Sequence, residues 1–227
     1  WRLKISNHSR DEAYNLVSSD DHRNYYDEWA PSYDKDFAEA HNYIYPENVA
    51  KAFLSRVEVA KGLVADIGCG TGLIGLHFAK TDFILDGLDI SKGMLQIAKK
   101  REAYRDLIQV DLKDVNSYPK EHYAGIISSG TFTLGHLGPE VLLKTLLLAD
   151  DYSLCVFGIN SKHFHAEGFV KLVEKLESDD IITDVDLINV PIYSVLMHKK
   201  NQINIAKLLI FNINKKLGKK KIEDFKF

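Results

Sequence analysis

The chain has 227 residues, with 29 Lys and Arg against 32 Asp and Glu and a net charge of −3. That length suits one domain with a well-buried core, and 45% hydrophobic with 27% charged residues is a globular mixture. The near-neutral balance excludes a bulk pull toward nucleic acid or an anionic membrane, and no apolar run reaches the roughly 20 residues that span a bilayer.

Residues 1–60 are polar and helical in texture, with aromatics clustered in YYDEWAPSYDKDF (25–37), and are expected to form an N-terminal helical cap or lid. Pro31 is expected to interrupt the helix there, because the residue before a proline avoids the helical region. Residues 61–227 form the remainder of one structural unit with that cap. LVADIG (63–68) predicts a strand and TGLIGLHFAK (71–80) a helix. FILDGLDI (83–90) is a second strand, followed by a helix over 91–104 with Ser91 as N-cap. LIQVDL (107–112) is a third strand and YAGIISSG (123–130) a fourth, followed by a helix around 139–149. YSLCVFGIN (152–160) is a fifth strand, with a helix around 166–178. Strands alternating with helices imply a parallel sheet covered on both faces. Two β-like runs, roughly 184–196 and 203–214, then follow across the short link MHKKNQ and are expected to pair antiparallel. The expectation is an α/β, Rossmann-like, mostly parallel sheet of seven strands whose last strand is reversed. The chain begins at Trp1, and no charged-then-apolar leader opens it. Cys69 and Cys155 fall in a turn and a strand, so neither a disulfide framework nor a metal site is expected, and the expected compartment is cytoplasmic and reducing.

The stretch LVADIGCGTGLIG (63–75) carries the first sign of chemistry. A buried strand running into Gly68, Gly70 and Gly72 leaves bare backbone for a ligand. The glycines alone allow either a dinucleotide, through Gly70-x-Gly72-x-x-Gly75, or S-adenosylmethionine. Asp89 ends the second strand 21 residues after Gly68, where it would accept ribose hydroxyls of either ligand, with Ile90 against the adenine face. Three features favour S-adenosylmethionine. Asp66 is a poor neighbour for a pyrophosphate but a good one for an ammonium or sulfonium; its other role is to cap and orient the glycine turn. Asp111 and Leu112 close the third strand, where they suit an adenine amino group and ring. No arginine follows Asp89 to take a 2′-phosphate.

With those residues in place, the sequence resembles the class I S-adenosylmethionine-dependent methyltransferases over roughly 25–214. DIGCGTG (66–72), GLDIS (87–91) with Gly93-Met94-Leu95, and QVDL (109–112) carry the resemblance. YDEWAPSYDKDF looks like the helical lid of small-molecule members, and GTFTLGHLGPE (130–140) like a bacterial-type subset similar to the Williams–Beuren region methyltransferase-like protein. The chain departs from the family at LLLADDYSLCVFG, which lacks a Pro-Gly-Gly turn; Asp150 and Asp151 can make the turn instead. The resemblance implies S-adenosylmethionine as co-substrate and in-line methyl transfer to a small-molecule acceptor, without a membrane or nucleic-acid partner. Asp66, Gly68, Gly70, Gly72, Asp89, Ile90, Met94, Asp111 and Leu112 are expected to bind the cofactor, with Tyr26 and Tyr33 closing over it and Trp29 in core packing. His136 follows the fourth strand and is the candidate general base, against a role that only shapes the pocket. His163 and His165 are weaker candidates, and His77 and Cys69 are read as structural. The alternatives are binding of S-adenosylmethionine without catalysis, methylation of protein or RNA through the basic run KKLGKKK (215–221), and a nicotinamide-dependent oxidoreductase.

Overall fold

The computed structural model describes residues 8–57, 61–194 and 205–226. Its centre is a seven-stranded sheet in the order β3-β2-β1-β4-β5-β7-β6. The strands are β1 (Lys61–Ile67), β2 (Asp82–Asp89), β3 (Asp106–Gln109), β4 (Tyr123–Phe132), β5 (Ala149–Asn160), β6 (Ile182–Pro191) and β7 (Ile205–Ile213). β1 to β5 pair in parallel, whereas β7 runs antiparallel to both β5 and β6. The reversed last strand is thus the one expected, and it is inserted between its two neighbours. The link 197–202 lies outside the described residues.

Alternation along the strands explains why both faces are covered. Ala65, Ile126, Cys155, Phe157, Leu209 and Phe211 join one apolar cluster, and their neighbours Val64, Ile127, Val156, Leu208 and Ile210 join the other. A strand buried on both sides must be apolar at successive positions, and these are. The first cluster packs under the helices Pro139–Thr145 and Phe169–Ser178; the second packs under Tyr45–Leu54 and the N-terminal aromatics. Sequence order reverses between β1 and β4, so the loops after these two strands diverge and open a crevice.

The N-terminal helices, α1 (Arg10–Ala13), α2 (Ser19–Tyr33) and α3 (Tyr45–Leu54), precede the sheet. α2 starts at a capping box: the Ser18 side chain accepts from Asp21 N–H, and the Asp21 carboxylate accepts from Ser18 N–H. The predicted break at Pro31 is corrected: α2 runs through Pro31 and continues into a wider π-helical turn, Asp34–Glu39. The proline removes one hydrogen bond, but the burial of Trp29, Ala30 and Phe37 beside it holds the coil.

The second correction concerns 71–80, predicted as a helix. These residues form successive tight turns, with bonds from His77 N to Ile74 O and from Phe78 N to Gly75 O, around a 3₁₀ turn at Gly75–His77. Tyr104 sets this geometry. A Cβ at Gly72 or Gly75 would come within 2.9 or 2.8 Å of its ring, and its hydroxyl accepts from Gly75 N–H at 3.1 Å. The fourth helix, α4 (Lys92–Lys99), begins at Ser91, which accepts from Met94 N–H as its N-cap. The turn before the fifth strand is made by Leu146–Leu148, a 3₁₀ turn closed by Ala149 N–H on the Leu146 carbonyl, and not by Asp150 and Asp151, which already belong to β5. The local adjustment is a bulge, with Tyr152 at φ +66° and the Ser153 hydroxyl donating to the carbonyl of Tyr123.

Candidate active site

The crevice beyond β1 and β4 is a cleft of about 190 Å³. Its floor is the glycine turn. Gly68, Gly70 and Gly72 all hold positive φ, at +66°, +55° and +83°, where a side chain is strained. Their surroundings differ. A Cβ at Gly68 would strike Thr131 Oγ1 at 2.1 Å, and one at Gly72 would strike Tyr104 and Ala98. At Gly70 a Cβ would meet nothing within 4 Å, and this residue lines the cleft. Of the three, Gly70 is the one that keeps space clear for something else.

Two carboxylates flank the turn. Asp89 lines the cleft; its oxygens accept from Gly70 N–H and Ser91 N–H, both at 2.8 Å. Each oxygen keeps a lone pair for a further donor. Burial outweighs these bonds and raises the Asp89 pKa to about 6. Asp66 is fully buried beneath the turn and does not line the cleft. One oxygen accepts from the Tyr104 hydroxyl at 2.7 Å; the other has no partner among the described residues. Burial raises its pKa to about 7. Ile90, Met94, Asp111 and Leu112 line the same end of the cleft as Asp89.

α2 roofs the cleft with Tyr26, Trp29 and Tyr33, and Phe37, Tyr43 and Tyr193 extend the aromatic wall. Trp29, expected in the core, is buried and lines the cleft as well. The roof is pinned at two points. Asp27 accepts from the Ser91 hydroxyl at 2.6 Å and from Gly93 N–H at 2.7 Å, so it caps α4. A Cβ at Gly93 would sit 2.9 Å from the Asp27 carbonyl oxygen, which is why only glycine fits there. Asp34 accepts from the Thr71 hydroxyl at 2.6 Å and pairs with Arg101, which also donates to the Thr71 carbonyl.

His136 lines the cleft opposite. Its Nδ1 faces the Leu134 carbonyl at 3.0 Å and must carry the proton, so Nε2 is the acceptor for the Tyr26 hydroxyl at 2.8 Å. Burial lowers its pKa to about 4. It is therefore a neutral, occupied latch partner of the roof. His163 is buried outside the cleft against the Leu137 carbonyl, and His165 and His77 are exposed. The 215–221 lysines serve the fold in part: Lys215 pairs with Asp180 and Lys216 with Asp150. Sequence reasoning missed Asp27, Asp34, Arg101, Tyr104 and His22. The exposed-looking acids of YYDEWAPSYDK gave one signal, being too close to the aromatic cluster to be mere solvated charge.

Residues 64–148 match the family described as a methyltransferase domain. A protein of Geobacillus sp. (strain WCH70), named as a methyltransferase, is 34% identical over 85 residues, which are 37% of this chain and 34% of that protein. YqeM of Bacillus subtilis, named likewise, is 29% identical over 70 residues, 30% of this chain and 28% of its own length. The chain thus spans about a third of the length of the curated relatives it matches. Two solved structures share the fold at low identity. One is magnesium protoporphyrin IX methyltransferase from Synechocystis with bound S-adenosylmethionine, at TM-score 0.63 and 17% identity, covering 88% of this chain and 98% of that one. The other is a TehB-like methyltransferase from Corynebacterium glutamicum, at TM-score 0.57 and 20% identity, covering 84% and 99%. The sheet, with its reversed strand and flanking helices, has the Rossmann-like methyltransferase architecture. No helix among the described residues is long and apolar enough to cross a membrane.

Proposed function

We propose that the chain is an S-adenosylmethionine-dependent methyltransferase acting on a small molecule. The observation that carries this reading is the pairing of Gly70, which opens clear space, with Asp89, whose lone pairs face it. These groups fit the adenosyl ligand: Asp89 takes the ribose hydroxyls, Ile90 and Met94 flank the adenine, and Asp111 and Leu112 meet its edge. Gly68 and Gly70 pass under the methionine portion. Asp66 and Gly72, which do not line the cleft, support the turn from below. A dinucleotide fits worse. Its pyrophosphate needs a helix N-terminus after the turn, and residues 71–80 offer tight turns beside two carboxylates instead.

S-adenosylmethionine supplies a methyl group on a sulfonium, already a good leaving group. The protein's task is then alignment and exclusion of water, which can contribute several kcal/mol through proximity alone. The roof of α2 does both, with Tyr26 and Tyr33 over the cleft and the Tyr26–His136 bond closing it. A cleft of about 190 Å³ with aromatic walls suits a small acceptor better than a polymer.

Calorimetry with S-adenosylhomocysteine tests the reading. Asp89→Ala should weaken binding by about 1.5–3 kcal/mol, the value of a charge-assisted hydrogen bond. Unchanged affinity in the folded variant, or tighter binding of NAD, overturns it.

A further inference from the structure

Resting on the function just proposed, we propose that the acceptor is a small neutral phenol, and that His22 is the catalytic residue that receives its proton. Three residues lining the cleft carry buried polar atoms without a partner among the described residues: His22 Nε2, Trp29 Nε1 and the Tyr45 hydroxyl. Buried polar groups are ordinarily satisfied, so several orphans around one cleft point to a ligand that satisfies them.

The state of His22 follows from its place in α2. Its Nδ1 lies 2.8 Å from the Ser18 carbonyl, one turn back at the helix N-cap. A carbonyl only accepts, so in the neutral ring the proton sits on Nδ1 and Nε2 presents a bare lone pair. The ring is 9% exposed and stands edge-on to His136, with centroids 4.9 Å apart. His136 has its own Nε2 filled by Tyr26, so of the two histidines His22 holds the spare acceptor. The ligand atom that meets it must therefore be a donor. Trp29 Nε1–H asks for an acceptor. Tyr26, Tyr33 and Phe37 supply flat apolar walls. Among the described lining residues Lys113 is the one lysine or arginine, set against the carboxylates Asp89 and Asp111, so the lining carries no net positive charge to hold a carboxylate or phosphate. A neutral aromatic hydroxyl donates to His22 Nε2, its ring stacks on these walls, and it needs no counter-charge.

In the transfer, the phenolic oxygen bonds to the methyl carbon as the carbon–sulfur bond breaks. The sulfur keeps the electron pair and leaves as a neutral thioether. The phenolic proton passes to His22 Nε2, so the positive charge moves from sulfur to imidazolium and then to solvent.

Phenol and toluene, alike in shape and differing by one O–H, are the probes. Titrated into the S-adenosylhomocysteine complex and followed by chemical shift, phenol should bind about tenfold tighter than toluene. His22→Phe should erase that preference, and His22→Gln, which keeps an acceptor, should restore part of it. In ¹⁵N-histidine spectra the His22 Nε2 signal should move with phenol and not with toluene; this readout needs no variant. Equal binding of the two, binding of neither, or a preference surviving in His22→Phe overturns the proposal. Failure of S-adenosylhomocysteine to bind is a separate result: it removes the proposed cofactor while the phenol preference is still read on the free protein.

Discussion

At the scale of single residues, the buried carboxylate Asp66 ties stability to pH. Burial raises its pKa to about 7 from an ordinary 3.8, so the folded state favours the protonated form. The stability this contributes is complete below the unfolded pKa and is lost as pH rises through the folded one, here between about 4 and 7. Asp66→Asn mimics the protonated acid at every pH. Between pH 5 and pH 8 the wild type should lose on the order of 3 kcal/mol relative to that variant, measured by denaturant unfolding at each pH. Parallel curves for the two proteins would show that Asp66 ionises as readily folded as unfolded. Asp66, Asp89 and Asp111 were legible as candidates because each stands at or near a strand end, a position that local pattern identifies. Tyr104 and His22 were not, since their partners lie across the fold: Tyr104 reaches Asp66 from 38 residues away, and His22 meets a histidine of the β4 loop. No spacing rule links such positions.

At the scale of elements, α2 and α4 hold each other through one side chain. Asp27 supplies the acceptor for the Ser91 hydroxyl and for Gly93 N–H. Asp27→Ala should cost about 1–2 kcal/mol, as the loss of a helix cap does. It should also speed amide exchange across Ser19–Tyr33 and Lys92–Lys99 together, while Phe169–Ser178 stays protected. Exchange that accelerates in α4 alone would mean that the roof is held by its aromatic packing. The strands were readable because apolar runs bounded by turns have few other uses. Residues 71–80 were misread because their apolar pattern suits a helix, and the force that tightens them, the Tyr104 ring against Gly72 and Gly75, comes from 104. Pro31 was misread for a related reason: a local preference against helix was outweighed by the burial of Trp29, Ala30 and Phe37 around it.

For the molecule as a whole, the order β3-β2-β1-β4-β5-β7-β6 decides where chemistry can happen, since it brings the β1 turn and the β4 loop together around one cleft. The N-terminal helices then complete it, and their attachment is uneven. Two anchors, at Asp27 and Asp34, lie on the half of the cleft that holds Gly70 and Asp89. On the other half the Tyr26 hydroxyl donates to His136 of the β4 loop. Under the proposed function this asymmetry fixes a sequence of events. The side held by one neutral hydrogen bond and ring packing on His136 opens more readily than the side held by the two carboxylate anchors, so the acceptor comes and goes while the adenosyl ligand stays. Kinetically that is compulsory-order addition with S-adenosylhomocysteine released last. Product-inhibition patterns should then show it competitive with S-adenosylmethionine and noncompetitive with the acceptor, and the slow step at saturation should be departure of the spent donor.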